Sequence, residues 1–138
     1  MRLSTHSKLA DINEDAWNAL VGGNPFLSHG FLSTLESTNC LEPQGWYPHH
    51  LLLWDGDVLR AALPLYLRDN SYGEFVFDWA WAEAYEKGGG KYYPKLVTAV
   101  PFSPVGGSRF LIDPCDTKAQ EMASQLLNAV KSICQDNE

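Results

Sequence analysis

The sequence predicts an α/β (α+β) layer protein, a mixed and largely antiparallel sheet flanked by helices. Three observations carry that prediction. Two β-capable runs, His50 to Trp54 and Val58 to Arg68, flank Asp55-Gly56-Asp57, which is the pattern of a hairpin. Capped helical stripes precede the hairpin. The chain then closes on Ala119, Met122, Ala123, Leu126, Leu127, Val130, Ile133 and Cys134, a stripe of 3.6-residue period.

Taken in order, Leu3 to Ala10 reads as a short first strand. Asn13 is placed to cap a helix whose first turn carries Glu14 and Asp15, charges that suit the positive end of a helix dipole. Trp17, Leu20 and Val21 share one face of that helix, and Gly22-Gly23 ends it. Ser28 is a second cap, ahead of Phe31, Leu32 and Leu35. After a loop from Asn39 to Pro48 comes the hairpin. Its Leu51 to Leu53 and Ala61 to Leu67 are nearly continuous in apolar character, which predicts burial on both sheet faces. Pro64 has no N–H for a ladder, so a bulge or unpaired position is expected there. Glu74 to Phe77 reads as a strand. Asp78 is placed to cap a helix in which Trp81, Ala84 and Tyr85 share a face expected to be core, and Gly88-Gly89-Gly90 ends it. Lys95 to Val100 and Arg109 to Ile112 read as strands, and Asp113-Pro114 as the start of the last helix. The predicted order is β-α-α-β-β-β-α-β-β-α, with no internal repeat.

The 138 residues, 45% apolar and 20% charged, suit one domain with a real core and the composition of a soluble globular protein. The longest apolar run is far short of the roughly 20 residues of a membrane span. The first residues lack the apolar segment of a secretory signal, so a cytoplasmic location is expected. Three cysteines without C-x-x-C spacing fit a reducing compartment and give no metal site. A net charge of −7 argues against a nonspecific nucleic-acid binder, although Lys87, Lys91, Lys95, Arg109 and Lys118 concentrate positive charge in one region.

Nine of the seventeen aromatic residues fall in SYGEFVFDWAWAEAYE (71–86), YYPKL (92–96) and VPFSPVGG (100–107), interleaved with carboxylates and a lysine. That pattern suits a lined pocket, because flat rings give contact area while the polar groups orient a ligand. Other polar residues offer less. His29, in the first turn of the second helix, reads as a surface or capping residue. His49 and His50 point to opposite strand faces and cannot chelate one metal together. Ser71 and Ser103 have no adjacent base for nucleophilic catalysis.

Five separated segments, NPFLSHGFLSTLE, HHLLLWDGDVLRAALPLYL, SYGEFVFDWAWAEAYE, YYPKLVTAVPFSPVGG and Arg109-Phe110-Leu111, resemble in order the FemAB-like branch of the GNAT N-acyltransferase superfamily. This bacterial family is associated with peptidoglycan biosynthesis. The resemblance runs from about Trp17 to Ile112 and covers the N-terminal portion of longer members. It implies a GNAT-like half of a two-part protein that transfers an acyl or aminoacyl group to an amine. No segment matches the Gly-rich turn that holds the CoA pyrophosphate in ordinary GNAT enzymes. No cofactor is therefore expected within this chain, while acyl-CoA or aminoacyl-tRNA would serve the full-length protein.

Transfer to an amine needs a base, donors for the carbonyl oxygen and positioning. On the resemblance, Asp78 and Glu83 are the candidate catalytic carboxylates, with Glu74 third. Ser71, Tyr72, Trp79, Trp81, Tyr85, Tyr92, Tyr93 and Lys95 are the candidate substrate-binding residues. The plainer readings are that Asp78 caps a helix, that Glu83 pairs with Lys87 across one turn, and that Lys95 is simply solvated. The expected partner is a small-molecule or peptide amine acceptor. Two other readings stay open: a noncatalytic module that binds a small molecule or peptide, and a structural fragment whose exposed sheet edge a homodimer would cover.

Overall fold

A computed structural model describes residues 1–75 and 77–136. Its elements are β1 (Arg2–His6), α1 (Glu14–Val21), α2 (His29–Ser37), β2 (Trp46–Pro48), β3 (His50–Asp55), β4 (Val58–Leu63), β5 (Tyr66–Arg68), α3 (Trp79–Lys87), β6 (Lys95–Val97), β7 (Leu111–Ile112) and α4 (Ala119–Gln135), with short 3-10 turns at Leu9–Asp11, Pro25–Leu27 and Glu42–Gln44.

The α+β class holds, but the single mixed sheet becomes two sheets, and every pairing is antiparallel. One sheet has the order β1-β3-β4-β7 and the other β2-β5-β6. The first is covered on both faces, as its continuous apolar runs predict. Leu52, Leu59 and Ala62 pack toward α1 and α2 with Trp17, Leu27 and Leu32. Leu51, Leu53, Ala61 and Leu63 face α4 through Met122 and Leu126. Along β4 the alternation slips once. Trp54 pairs with Leu59 but Leu53 with Ala61, so Arg60 is the extra residue of a bulge, and its guanidinium pairs with Asp116. The irregularity expected at Pro64 therefore lies at Arg60. Pro64 instead marks the point where the chain leaves the first sheet for the second, where a missing N–H costs no ladder bond.

Local signals fared well where a cap decides the boundary. Asn13 accepts from the Ala16 N–H and Ser28 from the Phe31 N–H, and Gly22 ends α1 in the left-handed region. Boundaries set by pairing moved. The first strand stops at His6, and residues 9–11 form a turn. β6 ends at Val97, β7 begins at Leu111, and α4 starts at Ala119 after turns at residues 114–118. Leu127 and Cys134 lie on the solvent side of α4's apolar stripe. β2, which reads as loop from sequence, exists because Trp46 pairs with Arg68 across the second sheet. The strand expected over Glu74 to Phe77 includes Val76, outside the described residues; Glu74 and Phe75 form a bend and Phe77 is irregular. No described helix is long and apolar enough to cross a membrane.

Candidate functional site

The second sheet positions the site. In its register Arg68 of β5 stands directly opposite Lys95 of β6. Two cations at opposed positions destabilise a sheet unless something lies between them. Glu74 does, on the loop that leaves β5: its Oε1 accepts from Arg68 Nε at 3.0 Å and its Oε2 from Lys95 Nζ at 2.8 Å. Arg68 is fully buried and the Glu74 side chain is 5% exposed. The remaining guanidinium donors reach the Gln44 and Tyr72 carbonyls at 2.8 and 2.5 Å and Asn70 Oδ1 at 3.1 Å. The guanidinium plane lies over the Trp46 ring, 3.9 Å from its centroid. Arg68 thereby pins the whole 69–74 loop. Gly73 completes that pinning, because it has a φ of 79° and a Cβ there would stand 2.9 Å from the Phe102 ring.

Lys95 closes the cluster. Its ammonium has three donors, and they reach Ser71 Oγ at 2.8 Å, Glu74 Oε2 at 2.8 Å and Asp78 Oδ2 at 2.5 Å. Tyr92 donates to the same Asp78 oxygen at 2.8 Å, and Tyr93 shares a hydrogen bond with Ser71 at 2.7 Å. Both tyrosine rings also lie within cation–π range of the ammonium, at 5.5 and 5.7 Å. Burial works against the ionised form of Asp78, but hydrogen bonding by Lys95, Ser71 and Tyr92 and the lysine's charge outweigh it, holding the carboxyl down at about 2. For Lys95 burial likewise favours loss of charge, yet Asp78 and Glu74 push its pKa above the ordinary lysine value. The Tyr92 phenol is pushed up by its hydrogen bond to Asp78. The result is a locked ammonium–dicarboxylate core. Its one open position among the described residues is Asp78 Oδ1, which is shielded from solvent and accepts no hydrogen bond.

Five of the sequence-predicted site residues, Ser71, Asp78, Tyr92, Tyr93 and Lys95, therefore converge, together with Glu74. Asp78 sits at the N-cap position of α3 without capping it; its carboxylate is committed to Lys95 and Tyr92 instead. Glu83 is not drawn in. It pairs with Lys87 at 2.5 Å on an exposed face. Trp81 and Tyr85, expected in the core, are 76% and 56% exposed, and α3 packs inward through Ala82. With Tyr72, Phe75, Phe77 and Trp79 they give the 72–85 segment a run of exposed rings. The Tyr72 and Trp79 rings lie 4.9 Å apart in a tilted pair. The helix pattern of α3 is real but faces solvent, which a periodicity cannot reveal.

Sequence reasoning missed Arg68, which organises the cluster; the available signal was a lone cation ending an otherwise apolar strand. It also missed a second buried polar group. His50 of β3 is fully buried against the Trp17 and Tyr66 rings, accepts from the Leu65 N–H at Nδ1 and meets Glu36 Oε1 through Nε2 at 2.9 Å. His29, expected at the surface, is buried with Nε2 2.7 Å from the Leu9 carbonyl.

Fold and site together define an α+β protein with two antiparallel sheets, the smaller of which carries a buried charge cluster beside a run of exposed aromatic rings. The family model for FemAB-like proteins, described as peptidoglycan biosynthesis/recognition, matches residues 8–138, and the chain belongs to that family. No curated protein and no solved structure matches it.

Proposed function

We propose that this chain forms the acceptor-recognising part of a FemAB-like, GNAT-related N-acyltransferase acting on an amine-bearing peptidoglycan precursor or fragment. The observation that carries the reading is the Ser71–Glu74–Asp78–Tyr92–Tyr93–Lys95 cluster next to the exposed Tyr72, Trp79, Trp81 and Tyr85 rings. Rings of this kind give contact area to a sugar or peptide, while a fixed negative group orients its ammonium. Within this reading an acceptor ammonium that reaches Asp78 Oδ1 completes the hydrogen bonding of that carboxylate. Glu83, which pairs with Lys87 on an exposed face outside this cluster, is the other candidate base in this reading. The acyl or aminoacyl group comes from a thioester or a charged tRNA.

A second reading, a recognition module without turnover, draws support from Asp78 itself. A carboxyl held at about 2 is a poor base, and all three Lys95 donors are already committed.

Thermal-shift titration with an amine-bearing muropeptide, and separately with acetyl-CoA and a long-chain acyl-CoA, tests both readings, because a ligand of the folded state raises the melting point by mass action. The acceptor reading expects a saturable shift with the muropeptide that Asp78→Asn and Trp79→Ala weaken more than they weaken stability. Unchanged affinity per folded molecule in both variants would sink it. Saturable acyl-CoA binding would place a donor site within these residues, and product formation with both ligands present would decide for turnover over recognition.

A further inference from the structure

A separate cleft lies between the Leu9–Asp11 turn and the second half of α2, with Pro48 of β2 also in its lining. It has a volume of about 420 Å3 and is lined by Ser7, Ser33, Glu36, Ser37, Asn39 and Leu41, among others. That size is in the lower part of the range that holds small organic ligands. We propose that this cleft is a binding site for a small hydroxylated primary amine, of the size and chemistry of an amino sugar, with the Glu36 carboxylate holding the ammonium. The inference does not rest on the reading of the Lys95 cluster.

The Glu36 side chain is only 9% exposed, and both its oxygens are fixed. Oε2 accepts from the Leu9 N–H at 2.7 Å, and Oε1 faces His50 Nε2 at 2.9 Å. His50 Nδ1 accepts from the Leu65 N–H at 3.2 Å, so that nitrogen carries no proton and Nε2 is the ring's donor toward Glu36. A carboxylate offers about four lone-pair positions. Two are used here by two donors, and acceptor capacity remains on each oxygen. A carboxylate so deeply placed and only half satisfied is costly unless something on its open side donates to it.

The walls are mixed: Ala10, Leu41 and Pro48 are apolar, Lys8 and Asn39 carry donors, and Ser33 and Ser37 add hydroxyls. Ser37 Oγ donates to the Thr34 carbonyl at 3.2 Å and Ser33 Oγ lies 3.4 Å from the Gly30 carbonyl. Their protons are turned to the helix, and their oxygens remain as acceptors. Lys8 and Glu42 also line the cleft, one charge of each sign. A cleft with mixed walls and one deeply placed carboxylate favours a ligand that combines a single ammonium with hydroxyls and an apolar ring face. The Lys95 cluster differs because its carboxylates already have cations of their own.

Glucosamine is the probe, with N-acetylglucosamine as the uncharged control, followed by calorimetry or chemical-shift perturbation of the whole chain. Saturable glucosamine binding is expected, with the acetylated sugar at least about tenfold weaker, since a hydrogen bond to a charged group is worth roughly that factor or more. Glu36→Gln is expected to lose binding by a similar factor. Because an amide there sets a donor against the Leu9 N–H or His50 and risks the fold, Ser37→Phe serves as a second variant. It fills the cleft from an exposed helix position and leaves Glu36 and His50 in place, and it is expected to abolish binding. Trp79→Ala is expected to leave glucosamine binding unchanged, which separates this site from the aromatic one. Absence of saturable binding by the unmodified chain, equal binding of the acetylated sugar, or unchanged binding in Ser37→Phe would each overturn the proposal.

Discussion

Glu74 and Glu36 are both carboxylates with less than a tenth of their side chains exposed, yet they are satisfied in opposite ways. Glu74 lies between two full cations, Arg68 and Lys95, and bonds to one with each oxygen. Glu36 is held by a backbone N–H and a histidine ring, and its open side faces a cleft. Burial alone thus says little about what a carboxylate does. Each has two donors, one to each oxygen, so it is the charge of the donors that separates a carboxylate that closes a structure from one left open to a ligand. A buried ion pair contributes uncertain net stability, but removing one member leaves an unpaired buried charge, which is always expensive.

That asymmetry can be tested by substitution. The largest effect is expected from Glu74→Gln, which leaves the buried Arg68 without a counter-charge and Lys95 with Asp78 alone. A loss of roughly 3–5 kcal/mol in urea unfolding is expected, and a loss under about 1 kcal/mol would show that solvent reaches the pair. His50→Phe keeps the ring contacts with Trp17 and Tyr66 but strands the Leu65 N–H and removes a donor from Glu36. A cost of about 2–3 kcal/mol is expected, together with altered glucosamine binding, while muropeptide binding at the aromatic face stays as it was.

The pH dependence sharpens the same contrast. Asp78 is held at about 2, below its ordinary value of 3.8, so the folded state binds its proton less readily than the unfolded chain. Its contribution is complete above pH 4 and is lost as pH falls toward 2. Lys95 has a raised value, so its contribution is complete below pH 10 and fades as pH rises beyond that. Asp78→Asn is expected to flatten the acid limb of the stability profile between pH 4 and 2. An unchanged limb would mean that the Asp78–Lys95 bond does not persist in solution. The smallest effect on stability belongs to Trp81→Ala, on an exposed ring. Less than about 1 kcal/mol is expected, with a measurable loss of muropeptide affinity if the rings form the acceptor surface.

Elements whose limits are set by one or two neighbouring residues were legible in advance. The Asn13 and Ser28 caps, the Gly22 stop, the Asp55-Gly56-Asp57 hairpin and the buried face of α4 through Met122 and Leu126 are local chemistry, and a sequence states local chemistry directly. The segments that build the candidate site, 71–86 and 92–96, were also visible from the mixture of rings and charges that they hold. Which of those groups meet was not visible. Asp78 looked like a cap because capping is a local function, and its commitment to Lys95 spans seventeen residues. Trp81 and Tyr85 carry a helical period, but a period fixes only that they share a face. The packing of Ala82 decided that the face looks outward. Arg68 and Glu36 gave still weaker signals, since a lone charge in a strand or helix is ordinarily on the surface. Their burial follows from a strand register and from the packing of α2 against His50 of β3 and the Leu9 turn. Pairings of that kind depend on distances between residues far apart in the chain, which local propensity does not encode, and so only the tertiary structure decided them.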